Sequence, residues 1–370
     1  MKKVGIITIP DYNNYGNRLQ NYAVKRVFEK KGYSVDTLEL NDLEFKKYRE
    51  RKYKLVIKKF KMKPLIFAFE AFGGGFTKAR RELLFEKFST DNLNISYEPV
   101  FSDKIINRLI KKYDYFVLGS DQIWHPFVNT TPNLFFATFA KPEQIIYFAP
   151  SFGVNELPSN YEKIVIEGLK NANNISVREE EGSIIIKKLL GKTATVLLDP
   201  TLMLNDAEWK SIAKKPKHFV KGNYILKLFL GPTSDEYNQV IKEYQRNTGL
   251  PVFSLADKSF KEGFITGPSE FIYCIMNASI VLTDSFHAIV FSIIFEKDFI
   301  CFSRLLDTYE EAGLDSRIDE LLDKLGLKNR KYLNRQSLID SDVDYERAKR
   351  IITQEKEKTN TFLEKSLGDI

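Results

Sequence analysis

The segment Ala278-Ser-Ile-Val-Leu-Thr-Asp-Ser-Phe-His287-Ala-Ile-Val-Phe-Ser-Ile-Ile-Phe295 reads as strand, polar turn and helix. Ile280 to Leu282 is a short apolar run of the kind that forms a buried strand. Thr283, Asp284 and Ser285 are small and polar, and helical apolar spacing begins at Phe286. A helix N-terminus placed after a strand offers free backbone N–H groups and the positive end of the helix dipole, which together make an anion site. His287 falls in the first helical turn, beside that site, and is one of three histidines in the chain.

The same alternation extends outward in both directions. Val4 to Ile9 reads as a first strand, followed by the polar loop from Asp11 to Asn17, a helix from about Arg18 to Lys31 and a strand from Ser34 to Leu40. That is the opening of a doubly wound α/β domain. Further strands are expected at Tyr113–Leu118, Gln144–Ala149, Asn174–Val177 and Thr195–Leu198, separated by helical stretches. After Lys214-Lys-Pro-Lys-His218 the pattern restarts with strands at Tyr224–Leu230, Val252–Leu255, Ser279–Leu282 and Phe299–Phe302. At 370 residues the chain exceeds one typical core. The expectation is therefore two Rossmann-like α/β domains facing a cleft, residues 1–210 and 220–335. A polar helix within 340–370 is expected to pack back. In open α/β sheets ligands bind at the carboxyl ends of strands, where most of the polar loops fall.

Composition bounds the rest. No run is long and apolar enough to span a bilayer, and the N-terminal apolar run is too short for a signal peptide. Cys274 and Cys301 sit in apolar segments and read as buried reduced thiols of a cytoplasmic protein. Lys46 to Lys63 holds ten basic residues and one acid, more than the whole chain's net charge of +7, so the remainder is slightly acidic. This basic stretch lies within a segment, residues 45–81, read as an insertion, and is followed by the apolar, aromatic-rich Leu65–Phe72. Such a pairing suits peripheral contact with an anionic membrane face, or equally a solvated helix beside a core helix. No nucleic-acid module is visible.

Several chemistries lack their motifs. There is no Gly-x-Gly-x-x-Gly after the first strand, no Walker spacing around Gly73-Gly-Gly75 and no Gly-x-Ser-x-Gly elbow. The histidines His125, His218 and His287 are far apart, and no carboxylate cluster marks a magnesium site. No metal and no cofactor are expected.

The chain resembles the polysaccharide pyruvyl transferase family over most of its length. The resemblance rests on Gly5-Ile-Ile-Thr8, Asn14-Tyr-Gly-Asn17, Gln20-Asn-Tyr-Ala23, Asp114 through Trp124, Ser176-Val-Arg-Glu-Glu-Glu-Gly182, Leu198-Asp-Pro-Thr201, Thr283-Asp-Ser-Phe-His287 and Ser316-Arg-Ile318. It implies a GT-B-like fold and transfer of the enolpyruvyl unit of phosphoenolpyruvate onto a sugar of a bacterial surface glycan or its lipid-linked precursor, usually as a cyclic ketal. Phosphoenolpyruvate is then a co-substrate and the glycan the partner. The resemblance also implies that residues 1–210 form the acceptor side and 220–335 the donor side. Where many family members carry arginine two residues before the histidine, this chain has Ser285, which shifts anion binding onto Arg178, Arg304 or a lysine.

Ketal formation needs fixed cations for a phosphate and a carboxylate, and a general acid to protonate the methylene carbon. His287 matches the motif histidine and is the candidate acid or phosphate ligand. Thr283, Ser285, Arg178, Arg304 and Arg317 are candidates for holding the donor. Arg178 is also placed to pair with Glu179–Glu181, and Arg304 and Arg317 with surface or capping partners. Asp121 can orient or deprotonate an acceptor hydroxyl, or simply close an Asx turn. Trp124 can stack on a sugar or fill the core. Asn14, Gly16 and Asn17 suit a loop that approaches the acceptor closely, although Gly16 can equally serve a positive φ. Asp199-Pro200 reads as a structural turn. The competing readings are a glycosyltransferase using a sugar nucleotide and a non-catalytic glycan-binding relative.

Overall fold

The computed structural model describes residues 1–39, 75–97, 103–126, 132–305, 316–333 and 343–368. The basic stretch Lys46–Lys63 and the apolar Leu65–Phe72 lie outside them. The chain divides into two compact units, Met1–Met203 with Glu357–Ile370, and Leu204–Lys356. The division precedes the polar segment Lys214–His218. The turn Pro200–Met203 packs on the first helix, whereas Trp209 stands edge-on to Phe291 at 4.8 Å in the second unit.

Unit 1 carries strands β1 (Lys3–Ile7), β2 (Ser34–Glu39), β3 (Ile95–Tyr97), β4 (Tyr115–Gly119) and β5 (Ile145–Phe148), all parallel, in the order β3-β2-β1-β4-β5. A parallel pair, β6 (Ile175–Val177) and β7 (Ala194–Val196), continues beside β5. The Ala149 amide donates to Ser176 Oγ at 3.0 Å and the Arg178 amide to the Pro150 carbonyl at 3.1 Å. The longer helices are α1 (Tyr15–Lys30), α2 (Gly75–Asn92), α3 (Asp103–Lys112), α4 (Ser159–Leu169) and α5 (Glu180–Leu190). Val4, Ile6, Phe116, Val117 and Leu118 are fully buried, as strands covered on both faces require. The strand order reverses between β1 and β4, so the crevice of this sheet opens at their carboxyl ends.

Helix α1 begins at Tyr15, three residues before the sequence places it. Asn14 is in the extended region and its side chain accepts the Asn17 amide at 3.2 Å. Asparagine is among the best helix N-caps because its side chain satisfies an otherwise orphaned donor. The loop expected to reach Asn17 is thus half helix, and Gly16 lies inside the first turn with no positive φ.

Unit 2 repeats the plan with β8 (Ile225–Leu228), β9 (Val252–Leu255), β10 (Ile280–Thr283) and β11 (Asp298–Cys301), again all parallel, in the order β11-β10-β8-β9. Its longer helices are α6 (Asp235–Thr248), α7 (Pro268–Met276), α8 (Phe286–Ile294) and α9 (Ser316–Leu325). Here the order reverses between β8 and β10. Leu282, Phe302, Tyr237 and Tyr332 form part of its core. Cys274 and Cys301 are buried and unbridged, and burial pushes the Cys274 thiol pKa well up.

The last helix, α10 (Tyr345–Leu367), belongs to unit 2 up to Lys356 and to unit 1 from Glu357. Within unit 1, Phe362, Leu363 and Leu367 join the cluster of Val24, Phe28 and Phe148. Tyr115 Oη donates to the Leu367 carbonyl at 2.6 Å. Burying Phe362 and Leu363 is worth roughly 1.5–3 kcal/mol each, which is why a helix polar along most of its length ends in the core. Among the described residues no helix is long and apolar enough to cross a membrane.

Candidate active site

In unit 1 the residues singled out by sequence gather at the β1/β4 crevice. Asn17 Nδ2 donates to Asp121 Oδ2 at 2.9 Å, joining the first turn of α1 to the end of β4. Asp121 Oδ1 accepts the Gln122 amide at 2.9 Å. Asp121 has φ +68°, a left-handed conformation that costs a non-glycine residue free energy unless its surroundings enforce it. They do: its carbonyl accepts the Ile123 and Ser151 amides, each at 2.9 Å. Asp121 is 8% exposed.

A buried ionic cluster underlies this crevice. Arg178 Nη1 lies 2.9 Å from Asp199 Oδ2, and Arg178 Nε lies 3.7 Å from Glu179 Oε2. Burial alone would lower the Arg178 pKa, but Asp199, Glu179 and Asp121 together hold it above its ordinary value. Glu179 Oε1 accepts Ser151 Oγ at 2.8 Å and the Phe152 and Gly153 amides at 2.9 and 3.3 Å. Gly153, at φ +65°, leaves space that a Cβ would lose to the Gln122 amide, 2.1 Å away. Asp199 Oδ1 closes an Asx turn with Thr201.

For two of the residues the structure shows the second of the two readings open to the sequence. Arg178 is found in the ion pairing that was its alternative reading: its guanidinium is engaged by Asp199 and Glu179, and its side chain is 3% exposed. The pairing with Asp199 is tertiary and invisible to a local reading. Trp124 does not offer a face to a sugar. It is fully buried, stacked on Phe136 at 5.5 Å and tilted against Phe152 and Tyr147, with Nε1 donating to the Phe135 carbonyl at 3.0 Å. Its indole N–H has a partner within the core, as buried tryptophan usually requires.

Two arginines that the sequence reading missed also border the crevice. Arg18 is fully buried, with Nη2 donating to the Ile9 carbonyl and Asn17 Oδ1, each at 2.7 Å. Its Nη1 lies 3.8 Å from Glu39. Arg81, on α2, reaches the Asn13 carbonyl at 2.9 Å, donates to Tyr15 Oη and lies over the Tyr15 ring. Arg81 falls at the end of the segment 45–81 read as an insertion, and this described end of it lies at the crevice. The spacing of arginine beside Asn17 was the available signal for Arg18, while Arg81 had none.

Unit 2 brings most of the donor candidates together. Thr283 ends β10, its Oγ1 donating to the Leu228 carbonyl at 2.6 Å and accepting the Ser285 amide at 3.0 Å. Ser285 occupies the N-cap position of α8 in extended conformation but makes no side-chain cap among the described residues. The first-turn amides of α8 have no intrahelical acceptor by geometry. His287 sits in that turn, half-buried, edge-on to Phe286 at 5.2 Å. Arg304, after β11, donates from Nη2 to the Asp284 carbonyl at 3.2 Å. Arg317, on α9, lies over the Phe286 ring at 5.8 Å. Burial raises the Asp284 pKa, although Arg304 and the Gly231 and Leu230 amides pull it down.

Unit 2 therefore sets two arginines, a histidine and a helix N-terminus against one carboxylate. In unit 1 three arginines, Arg18, Arg81 and Arg178, meet four carboxylates, Glu39, Asp121, Glu179 and Asp199. Among these described residues, cationic groups outnumber carboxylates in the first arrangement and not in the second.

Comparison with curated proteins returned no match. Among solved structures the chain is similar to the N-terminal domain of Candida albicans trehalose-6-phosphate phosphatase, with a TM-score of 0.44 and 10% identity over 99% of this chain and 96% of that one. It is also similar to S. aureus MnaA solved with UDP (TM-score 0.43, 12% identity, 98% of each chain). A third is E. coli heptosyltransferase WaaC solved with ADP (TM-score 0.39, 11% identity, 95% of this chain and 99% of that one). These likenesses are too distant to add to the architecture read directly from the chain. The family model for polysaccharide pyruvyl transferase matches residues 14–305, most of the chain and every candidate residue except Arg317. The chain thus belongs to the polysaccharide pyruvyl transferase family, enzymes that transfer a pyruvyl unit onto polysaccharide.

Proposed function

We propose that the chain transfers the pyruvyl unit of phosphoenolpyruvate to a sugar of a bacterial surface polysaccharide or its lipid-linked precursor, forming a ketal and releasing phosphate without a metal or redox cofactor. The observation that carries this reading is the gathering of Arg304, Arg317 and His287 around the N-terminus of α8.

Phosphoenolpyruvate carries a phosphate and a carboxylate. The α8 amides and the two arginines suit those anions, with Thr283 and Ser285 lining the turn. His287 gives a proton to the methylene carbon, which becomes a methyl group. The adjacent carbon gains oxocarbenium character, and a sugar hydroxyl adds there as its proton is taken up. A second hydroxyl of the same sugar then displaces phosphate, its proton leaving with the phosphate, and the ring closes. Fixed cations and an acid–base residue meet the charge demands of each step.

The acceptor reading belongs to unit 1. Asp121, with Asn17 and the Asn14-capped turn of α1, offers acceptors and donors of the kind that recognise neutral hydroxyls. The Arg178–Asp199–Glu179 cluster supports the loops that carry them. The basic stretch Lys46–Lys63 is assigned to peripheral contact with an anionic membrane. Charge-neutral replacement of its lysines should weaken binding to anionic liposomes, and unchanged binding would remove that assignment.

The test is phosphate release from phosphoenolpyruvate in the presence of a pyruvylation-competent glycan acceptor. Release with a mass gain on the acceptor equal to a pyruvyl ketal supports the reading. Turnover of a sugar nucleotide in its place would transfer the assignment to glycosyl transfer, and binding of glycan without turnover would make the chain a non-catalytic relative.

A further inference from the structure

The Thr283–His287 segment contains a carboxylate that the chemistry above does not use. Asp284 is 1% exposed. Its Oδ1 accepts the Leu230 amide at 2.7 Å and its Oδ2 the Gly231 amide at 2.9 Å. Both amides belong to the turn after β8, so the carboxylate bridges the β8/β10 switch point. Asp284 also engages Arg304 twice: Oδ2 lies 3.6 Å from Nε, and its carbonyl accepts Nη2 at 3.2 Å. Gly231 completes the arrangement. A Cβ there would stand 2.8 Å from Arg304 Cγ and 2.7 Å from the Leu305 carbonyl oxygen, so the turn and the arginine are packed backbone against side chain. Burying a carboxylate is costly unless its bonds are made, and a packing role alone would be met as well by an apolar residue. Here the bonds run to one turn and one arginine.

We infer that Asp284 is a positioning residue of the donor site: it locks the Leu230–Gly231 turn against Arg304 and so sets the direction from which the guanidinium meets an anionic donor. This rests on the assignment of the donor to unit 2. A free arginine side chain loses considerable rotamer freedom on binding, and one already held by Asp284 loses less.

Two readouts test it. The first is the Arg304 Nε–Hε resonance in nitrogen-15 correlation spectra without ligand. The second is the dissociation constant for phosphoenolpyruvate, measured by calorimetry for the wild type, Asp284→Asn, Arg304→Gln and the double variant. Asp284→Asn keeps the volume but sets an amide N–H against a backbone N–H. It is expected to move the Arg304 resonance or broaden it by exchange, and to weaken phosphoenolpyruvate binding about tenfold. The double variant should bind no worse than Arg304→Gln, since the same arginine is then lost twice. Gly231→Ala presses chiefly on the Leu305 carbonyl oxygen and Arg304 Cγ, 2.7 and 2.8 Å from the added Cβ, and meets Asp284 Oδ2 only at an ordinary contact distance of 3.4 Å; it should weaken binding in the same direction. Wild-type binding with an unmoved Arg304 resonance, or with penalties that add, overturns the inference and leaves the donor assignment standing. A wild type that does not bind phosphoenolpyruvate overturns the donor assignment and the inference with it.

Discussion

The two switch points are built alike and charged differently. In each unit an aspartate stands at the carboxyl end of a strand beside the reversal of strand order. Asp121 follows β4 and Asp284 follows β10. Asp121 bonds to a side chain, Asn17, and sits above a cluster in which carboxylates outnumber arginines. Asp284 bonds to backbone, Leu230 and Gly231, and holds Arg304 beside the start of α8, where Arg317 lies over the Phe286 ring and His287 sits in the first turn. On the proposed reading, the same scaffold offers one crevice for hydroxyls and one for anions.

The largest effect that would sharpen this contrast is loss of the acid. His287→Ala should reduce phosphate release about 10²–10⁴-fold, the usual worth of a positioned general acid. Circular dichroism should be unchanged, because the side chain is half-buried at a helix start. Near-normal turnover would leave unit 2 as a binding site alone.

Next comes the core of unit 1. Arg178→Ala leaves Asp199 and Glu179 buried without their cation, and breaking such a pair costs about 3–5 kcal/mol. Thermal or urea unfolding should show that loss. If Arg178→Lys weakened phosphoenolpyruvate binding with stability intact, the division of roles between the units would break, because a cation of unit 1 would then serve the donor.

A smaller effect is expected at Arg304. Replacing it with glutamine should weaken phosphoenolpyruvate binding about tenfold, in the range for one charge-assisted contact, while glycan binding stays unchanged. Asp121→Asn should do the reverse, which an isothermal titration with each substrate would report.

The smallest effect is one of pH. Burial raises the Asp284 pKa above its ordinary 3.8. The folded state therefore binds more protons than the unfolded state in the window just above 3.8, and stability falls as pH rises through it. Asp284→Asn has no such proton to lose. Its stability deficit relative to the wild type should shrink across that window, as chemical denaturation at a series of pH values would reveal. A constant deficit would mean that Asp284 titrates as an ordinary carboxylate.

Much of this was legible in the sequence, for a local reason. Strand, turn and helix at 278–295 declare themselves by periodicity, and β10 and α8 lie within a residue of where that periodicity puts them. The start of α1 was misread because Asn14 looks like loop while acting as a cap. The alternatives left open for Arg178 and Trp124 share another cause. The partner of Arg178 is Asp199, twenty-one residues on, across the β6–β7 unit, and the rings around Trp124 come from Phe136, Tyr147 and Phe152. Residue type announces what a side chain can do, but tertiary packing decides whether it is still available to a ligand. The Asp284 bridge was hidden likewise, since its acceptors serve amides more than fifty residues away.

The most direct test of the division between the crevices is calorimetric titration of the full chain with phosphoenolpyruvate and with a panel of sugar nucleotides, comparing the wild type, Arg304→Gln and Asp121→Asn. Phosphoenolpyruvate should bind, weaken with Arg304→Gln and hold with Asp121→Asn. Binding of a sugar nucleotide without phosphoenolpyruvate, or loss of phosphoenolpyruvate binding with Asp121→Asn in place of Arg304→Gln, would contradict the account.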